Sequence, residues 1–232
     1  MNRLNMRKSS PFLYRAVIFD LDGTLYYQRP FRWRMIRYLA GYILTHPLRV
    51  WELLMIKKYR EVRENWEDCE RTCSEDARYQ RLGLDDRQYQ YVADQLKVEP
   101  DRVKRVVRFF MIDMPLRFLP PYKDEILAGI IDALHDRNIT VVVYSDYPVE
   151  NKLKALGIEA DACYTSADER ISAMKPDPRG IAVILSDIGC PAEEALMIGD
   201  RYEKDGLAAE GNGMDYVIVS KSRKKRADMC WI

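Results

Sequence analysis

Two carboxylates stand one residue apart near the start of the chain, in the run Asp20-Leu21-Asp22-Gly23-Thr24-Leu25. The apolar run Ala16-Val17-Ile18-Phe19 directly precedes them and predicts a buried strand. An ionised carboxylate at the end of such a strand needs a cation or N–H donors beside it. The pattern therefore indicates a site for a cation or for acid–base chemistry. An acidic turn with a capping role is the simpler alternative.

The elements that would position these carboxylates alternate between helix and strand in the second half of the chain. Apolar residues at helical spacing, β-branched runs and turn residues predict helices over 124–137, 150–156, 179–188 and 204–210 and strands over 139–144, 162–165, 195–198 and 215–219. Strands that alternate with helices are typical of a parallel sheet. The predicted fold is α/β, a doubly wound, Rossmann-like parallel sheet.

The stretch between the first strand and this alternating region has a helical pattern without a clear strand. Its clearest apolar face consists of Val103, Val106, Val107, Phe110, Met111 and Met114. Prolines at 30, 120 and 121 suit non-helical boundaries at its two ends. We therefore predict a discontinuous core domain over 1–28 and 118–232, with an inserted all-helical cap domain over 29–117.

In parallel α/β sheets, chemistry gathers at the carboxyl ends of the strands. Besides the first acidic pair, three clusters of polar residues follow the predicted strands: Ser145 with Asp146, Lys175 before Pro176, and Asp200 followed by Asp205. Mg²⁺ prefers oxygen ligands, a hydroxyl can donate to a phosphate oxygen, and an ammonium offsets repulsion among carboxylates. Together these groups suit a phosphate bound with a divalent cation.

The four clusters resemble the motifs of the haloacid dehalogenase-like (HAD) hydrolase superfamily, in the family's order, over about residues 14–28 and 118–220. The resemblance to its phosphatase branch implies a hydrolase that acts on phosphomonoesters. Asp20 would be the nucleophile that forms an aspartyl-phosphate, and Asp22 would be the general acid and base. The helical insert resembles the C1-type cap of this family.

The resemblance also implies the ligands. Mg²⁺ would be held by Asp20, the backbone carbonyl of Asp22 and Asp200, while Asp205 would orient metal-bound water or support Lys175. The predicted groups for the substrate phosphate are Ser145, Asp146 and Lys175. One departure from the family pattern, Tyr122-Lys123-Asp124 where a Pro-Gly turn is expected, should affect only the hinge.

Three other functions stay open at this point. The dehalogenase and phosphonatase-like branches lack an acid that matches Asp22, so they are disfavoured. A phosphotransferase or phosphomutase would keep Asp22 and would pass the phosphoryl group to a second alcohol. A binding protein without turnover would have no need for all six of the polar residues Asp20, Asp22, Ser145, Lys175, Asp200 and Asp205.

Net charge, cysteine content and the first ten residues indicate where the protein works and what it binds. A net charge of +1 argues against bulk attraction to nucleic acid. Five cysteines without a C-x-x-C pair suggest neither a disulfide framework nor a zinc site. The first ten residues lack the apolar core of a signal peptide. We expect a cytoplasmic protein whose partner is a phosphorylated small molecule or a phospholipid headgroup.

Two segments, 31–60 and 221–232, combine basic and aromatic residues. The first carries Arg32, Arg34, Arg37, Arg49, Lys57, Lys58 and Arg60 against a single acid, Glu52. The second carries Lys221, Arg223, Lys224, Lys225 and Arg226, followed by Met229, Cys230, Trp231 and Ile232. This composition is typical of peripheral contact with the inner face of a membrane, which would suit a lipid-phosphate phosphatase. A solvated basic face over ordinary helical packing is the alternative.

Overall fold

The computed structural model describes residues 4–6, 10–73 and 75–227. The chain divides into two compact units, one formed by Met1–Arg32 with Leu119–Ile232 and the other by Trp33–Phe118. These boundaries fall slightly further along the chain than the predicted junctions at 28/29 and 117/118, because the first helix of the insert begins in the first unit.

The first unit contains a six-stranded sheet. In chain order the strands are β1 (Leu4–Asn5), β2 (Ala16–Phe19), β3 (Thr140–Ser145), β4 (Ala162–Thr165), β5 (Ala195–Gly199) and β6 (Asp215–Ile218), and their spatial order is β1-β6-β5-β2-β3-β4. Strands β2 to β6 pair in parallel, which confirms the predicted doubly wound sheet. The edge strand β1 is antiparallel to β6 and was not predicted, because two residues carry no readable alternation.

Five helices belong to the same unit: α7 (Glu125–His135), α8 (Glu150–Leu156), α9 (Arg179–Asp187), α10 (Leu207–Glu210) and α11 (Arg223–Ala227). Helix α7 begins where the Asp124 carboxylate accepts hydrogen bonds from the backbone N–H groups of Ile126 and Leu127. Helix α8 ends at Gly157, whose φ of +61° is the left-handed conformation that glycine adopts without strain. Both ends follow from residue types that the sequence displays.

The segment predicted as a single helix over 204–210 is different in the structure. A π-helical turn, Tyr202–Gly206, precedes the short helix α10. A wider turn of this kind is common at functional sites, since it redirects a side chain. Here it carries Asp205, which lies against Gly199 so closely that a Cβ on that glycine would stand 2.3 Å from the carboxylate.

Successive residues of each strand point to opposite faces of the sheet, and both faces carry buried apolar side chains. Ile18, Val142 and Met197 from the central strands are fully buried, and they pack with Ile181 and Ile184 from α9. A strand buried on both faces reads as a continuous apolar run, as 141–144 does here. This core makes the strand ends rigid supports for the residues that follow them.

The second unit contains helices and short connections, with no strand among its described residues, 33–73 and 75–118. It contains most of α1 (Gln28–Thr45), then α2 (Val50–Glu64), α3 (Trp66–Cys73), α4 (Ala77–Gln80), α5 (Leu84–Leu96) and α6 (Pro100–Val107), followed by a π-helical turn over Arg108–Asp113. Its core includes Met55, Ile56, Val106, Phe110 and Met114, so the predicted apolar face near 103–114 is buried. None of the helices described is both long enough and apolar enough to cross a membrane.

Candidate active site

Three neighbouring strands bring the predicted polar residues to one edge of the sheet. Phe19 at the end of β2 pairs in register with Val143 on β3 and with Ile198 on β5. Residues that follow these positions therefore lie side by side, and the backbone N–H of Asp20 donates to the carbonyl of Ile198 at 2.8 Å. Asp20, Ser145 and Asp200 thus meet although more than 50 residues separate each from the next.

Both oxygens of Asp20 are occupied. Its Oδ1 accepts a hydrogen bond from the Lys175 ammonium at 2.6 Å, and its Oδ2 accepts one from the Thr24 hydroxyl at 2.8 Å. Burial raises the pKa of the Asp20 carboxyl, and the neighbouring ammonium of Lys175 opposes this. The side chain is therefore held in one orientation with a positive charge beside it.

Lys175 lies between two carboxylates. Its Nζ is 2.6 Å from Asp20 Oδ1 and 2.6 Å from Asp205 Oδ1, and only 2% of the residue is exposed. Burial alone lowers the pKa of this lysine, but Asp20 and Asp205 together raise it well above its ordinary value. The side chain therefore stays an ammonium. The Lys204 ammonium donates to the Lys175 carbonyl at 2.6 Å and fixes the loop that carries it.

Asp20, Asp200 and Asp205 form a buried acidic cluster. Each offers one oxygen, and these oxygens lie within 4.8 Å of one another. The one buried ammonium, Lys175, pairs with two of these three carboxylates, so the remaining negative charge fits a divalent cation with oxygen ligands. Burial first, and then the nearby Asp205 carboxylate, raise the pKa of Asp200 to about 6.

Within this cluster, Asp200 has the freest carboxylate. Asp205 accepts from Lys175 with Oδ1 and from the backbone N–H of Arg201 with Oδ2 at 3.1 Å. The Asp200 carboxylate has one ion pair in the described part of the chain, with the exposed Lys221 at 3.9 Å. Asp200 is thus the better candidate for direct ligation of a metal, and Asp205 is better placed to support Lys175, one of its two predicted roles.

Asp200 also packs against the acidic turn. Gly23 has a φ of +103°, and a Cβ at that position would stand 2.6 Å from the Asp200 carboxylate. Glycine is therefore required there both by the backbone conformation and by the space that the acid occupies.

The side chain of Asp22 points to a different set of partners. Lys152 Nζ lies 2.6 Å and 2.8 Å from its two oxygens, Ser145 Oγ donates at 3.2 Å, and Tyr26 adds a short hydrogen bond. Burial raises the pKa of Asp22, but the Lys152 ammonium outweighs this and the net shift is downward. The Asp22 carboxylate is not part of the acidic cluster, so only its backbone carbonyl remains as the metal contact that the family resemblance implied.

Lys152 was not predicted from the sequence. It lies in the first turn of α8, the helix that follows β3, and its side chain is largely buried against Asp22. Its position seven residues after Ser145 matches no motif. The available signal was indirect: a helix that starts at the carboxyl end of a central strand places its first turn at the site.

The side chain of Asp146 contacts the loop that carries Lys175. Its carboxylate accepts hydrogen bonds from the Ser166 hydroxyl and, at 3.1 Å, from the backbone N–H of Lys175. A carboxylate would also repel a phosphate. The side chain of Asp146 therefore anchors the loop that carries Lys175, and its predicted role in phosphate binding stays a prediction.

The C-terminal basic segment contributes a residue to the support of the acidic turn. Arg226 on α11 is 1% exposed, and its guanidinium donates to the Thr24 carbonyl at 2.6 Å, to Asp124 Oδ2 at 2.7 Å and to the Gly23 carbonyl. The backbone N–H of Asp124 in turn donates to the Leu25 carbonyl at 2.9 Å. Arg226 and Asp124 together bracket the turn that carries both catalytic candidates.

This arrangement corrects two sequence predictions. Arg226 does not belong to a solvated or membrane-facing basic surface, because a buried carboxylate and two carbonyls surround its guanidinium. Asp124 does more than form a hinge, because it caps α7, pairs with Arg226 and holds the acidic turn. Met229 to Ile232, the apolar end of that predicted segment, lie outside the described residues.

Among curated proteins, the chain is similar to phosphoglycolate phosphatase of Rhodospirillum rubrum, with 28% identity over 116 residues. The match covers 45% of this chain and 48% of the relative, so the chain spans about half the length of that protein.

Solved structures share the fold. A 2-haloacid dehalogenase from Pseudomonas syringae pv. Tomato DC3000 superposes with a TM-score of 0.58 at 16% identity, over 88% of this chain and 85% of that one. The HAD-hydrolase YfnB from Bacillus subtilis, in a structure bound to magnesium, superposes with a TM-score of 0.54 at 17% identity, over 88% and 87%. At such identities the likeness establishes architecture, and activity has to be argued from the site.

The family assignment rests on a broader match. The model of the haloacid dehalogenase-like hydrolases matches residues 14–213, which include the acidic turn, Ser145, Lys175 and the acidic cluster. The matched range also contains the whole helical unit. The chain therefore belongs to the haloacid dehalogenase-like hydrolase family.

Proposed function

We propose that the protein is a Mg²⁺-dependent phosphomonoester hydrolase that acts through an aspartyl-phosphate intermediate. The observation that carries this proposal is that the two carboxylates of one short turn contact different sets of side chains. Asp20 points to Lys175 and the acidic cluster, whereas Asp22 points to Lys152, Ser145 and Tyr26. Two carboxylates in such different surroundings can take separate tasks, one as nucleophile and one as proton carrier.

The proposed reaction has two steps. First, an oxygen of Asp20 attacks phosphorus and the bond between phosphorus and the ester oxygen breaks. Lys152 favours the carboxylate form of Asp22 in the free protein, so Asp22 has to take up a proton in the substrate complex before it gives that proton to the departing oxygen. Second, Asp22 takes a proton from water as that water attacks the aspartyl-phosphate. The bond between Asp20 and phosphorus then breaks, which releases inorganic phosphate and restores the Asp20 carboxylate.

The acidic cluster supports the metal part of the proposal. Asp20 and Asp200 would hold Mg²⁺, and Asp205 would keep Lys175 in place. When bound, the ion would neutralise charge on the phosphoryl oxygens. Lys175 lowers the repulsion between Asp20 and an incoming phosphate dianion, and Ser145 offers a hydroxyl at the opposite side of the turn.

The leaving group separates this activity from dehalogenation, which the fold also accommodates. Halide leaves as a stable anion and needs no proton, whereas an alkoxide is a poor leaving group until it is protonated. Asp22, two residues beyond the nucleophile and hydrogen-bonded to Ser145 and Tyr26, supplies the carboxyl that only the second reaction requires. We therefore favour a phosphomonoester over a haloacid as substrate. The substrate class that we propose is a phosphorylated small molecule or a phosphorylated lipid headgroup.

Asp22→Asn tests the proton-carrying role. With p-nitrophenyl phosphate, whose leaving group needs little protonation, the variant should release nitrophenolate in a burst of about one equivalent per active site and then stall. With an alkyl phosphate it should show no burst, because the leaving oxygen is not protonated. Quenched-flow measurement of both products checks this. Equal losses on the two substrates, without a burst, would contradict the role given to Asp22.

Binding of Mg²⁺ should be visible without turnover. Because the ion would relieve repulsion within the acidic cluster, Mg²⁺ at tenfold its Kd should raise the Tm of the wild-type protein by about 3–6 °C. Asp200→Asn should lose most of this increase and, without Mg²⁺, should melt no lower than the wild type. Asp132→Asn, an exposed carboxylate on α7, is the control and should keep the full increase. Equal increases in all three proteins would rule out the proposed site.

A further inference from the structure

Exposed apolar side chains are concentrated in one stretch of the helical unit. Residues 33–54, which we call the apolar hairpin, comprise most of α1, the connection after it and the start of α2. Seven of the ten large apolar residues exposed in the described part of the chain lie here: Trp33, Ile36, Leu44, Leu48, Val50, Trp51 and Leu54. Leu48 is 93% exposed, Leu44 84% and Trp51 62%. A patch of this kind marks an interaction surface.

Helix α1 has two apolar faces, and only one of them is used within the helical unit. Met35, Tyr38, Leu39 and Tyr42 pack on the core formed by Met55, Ile56, Val106, Phe110 and Met114. The residues Trp33, Ile36, Ala40 and Leu44 recur at intervals of three and four, so they share a second face, and all four are exposed. That second face continues into Leu48 and Trp51 at the turn between the helices.

Positive charge surrounds the apolar hairpin. Over residues 31–60 the basic side chains are Arg32, Arg34, Arg37, Arg49, Lys57, Lys58 and Arg60, and the single acidic one is Glu52. Apolar and aromatic side chains flanked by such charges favour the boundary between lipid headgroups and acyl chains. Tryptophan is enriched at that depth, and the hairpin carries two of the four in the chain.

A pocket beside the turn of the hairpin adds an independent observation. It has a volume of about 280 Å³ and is lined by Arg49, Arg102 and Arg105, with Glu52, Val106, Phe109 and Phe110 as its remaining walls. Arg102 and Arg105 are exposed, and Phe109 is 45% exposed. Glu52 pairs with Arg49 at 3.8 Å, so the lining keeps an excess of positive charge, which suits an anionic group of the size of a phospholipid headgroup.

We propose that the apolar hairpin docks on the surface of an anionic lipid bilayer, with Leu44, Leu48 and Trp51 in the interface and a headgroup in the arginine-lined pocket. A second copy of the chain fits this surface less well, because an isologous dimer would bring the same basic side chains together. Arg226 is not part of this surface, since it is buried.

The proposal goes beyond the hydrolase activity and does not depend on it. If both hold, docking would bring the enzyme to phosphorylated headgroups at a membrane. Vesicle binding is measured without turnover, so failure of one proposal can be told apart from failure of the other.

The test is sedimentation of the full chain with vesicles of phosphatidylcholine alone or with about 30% phosphatidylglycerol, at about 0.05 M and 0.5 M NaCl. The wild type should bind the anionic vesicles at least about tenfold more strongly, and salt should weaken the binding. Leu44→Ser/Leu48→Ser should lower binding about tenfold or more, because it removes apolar area from the interface. Arg102→Gln/Arg105→Gln should lower it at least about fivefold, on anionic vesicles only.

Two control variants show whether the loss of any exposed leucine or any exposed positive charge, outside the apolar hairpin, also weakens vesicle binding. Leu13→Ser removes an exposed leucine (56%) outside the hairpin, and Lys154→Gln removes an exposed lysine on α8; both should bind vesicles as the wild type does. Circular dichroism confirms that each variant is folded. Equal binding by the hairpin variant and the Leu13 variant, or no preference for anionic vesicles, overturns the proposal. So does a dimer in sedimentation equilibrium that Leu44→Ser/Leu48→Ser dissociates while no variant binds vesicles.

Discussion

Replacing Asp20 by asparagine should abolish Mg²⁺-dependent release of phosphate, with kcat/KM at least about 10³-fold lower. The amide is a poor nucleophile for phosphorus, and it also removes one charge from the acidic cluster. Lys175 keeps its second partner, Asp205, so the loop that carries it should stay in place. The variant should therefore fold and bind substrate but fail in the first chemical step.

The measurement combines turnover with trapping of the intermediate. Wild-type protein should release phosphate from a panel of sugar phosphates, nucleotides, phosphoglycolate and glycerophospholipid phosphates in detergent, with a preference that identifies the substrate class. It should release no halide from 2-haloacids. After reaction with p-nitrophenyl phosphate, acid-quenched protein should carry a hydroxylamine-sensitive phosphoryl group in Asp22→Asn but none in Asp20→Asn. Substantial activity in Asp20→Asn would refute its role as the nucleophile.

Replacing Arg226 by methionine should destabilise the first unit by about 3–5 kcal/mol, because it leaves the buried Asp124 carboxylate without its partner. The carbonyls of Gly23 and Thr24 lose their donors in the same change. The turn that carries Asp20 and Asp22 would then be less firmly held. We expect kcat to fall more than KM rises, since a loosened nucleophile affects the chemical step most.

The free energy of unfolding, measured by denaturant titration, and kcat measured well below the Tm check this prediction. Arg223→Met, on the same helix but exposed, should change stability by no more than about 0.5 kcal/mol. Arg226→Lys should restore only part of the loss, since an ammonium cannot bridge the carboxylate and two carbonyls as a guanidinium does. In the Arg226→Met background, Asp124→Asn should cost less than it does in the wild type. Additive effects of the two changes would show that Arg226 and Asp124 act separately.

Much of the catalytic apparatus could be predicted because it depends on local pattern. The apolar run before Asp20 predicts a strand, a parallel sheet aligns strand ends, and these two facts alone bring Asp20, Ser145 and Asp200 to one edge. Lys175 and Asp205 could be placed near the same edge by the family resemblance. The alternation of helices and strands was similarly readable, since burial on both sheet faces leaves continuous β-branched runs.

Other parts of the site depend on contacts between distant residues, which no pattern along the chain encodes. The pairing of Lys152 with Asp22 spans 130 positions, and that of Arg226 with Asp124 spans 102. Lysine and arginine in a polar stretch look the same whether they are solvated or buried, so Arg226 was included with the exposed basic residues of the segment 221–232. Asp146 likewise follows a strand, which is the position expected of a binding residue. Its carboxylate accepts hydrogen bonds from Ser166 and from the backbone of Lys175, and these contacts hold the loop in place.

The sequence by itself therefore determined the kinds of chemical groups available, the α/β architecture with a helical insert, and the edge of the sheet where those groups meet. Only the tertiary structure decided how charges pair within that site and which basic residues face solvent. The physical reason is that strand and helix periodicity are properties of neighbouring residues, whereas the burial of a charge depends on whichever distant partner packing brings to it. The carboxylates of Asp20 and Asp22 have different surroundings because Lys175 reaches Asp20 and Lys152 reaches Asp22.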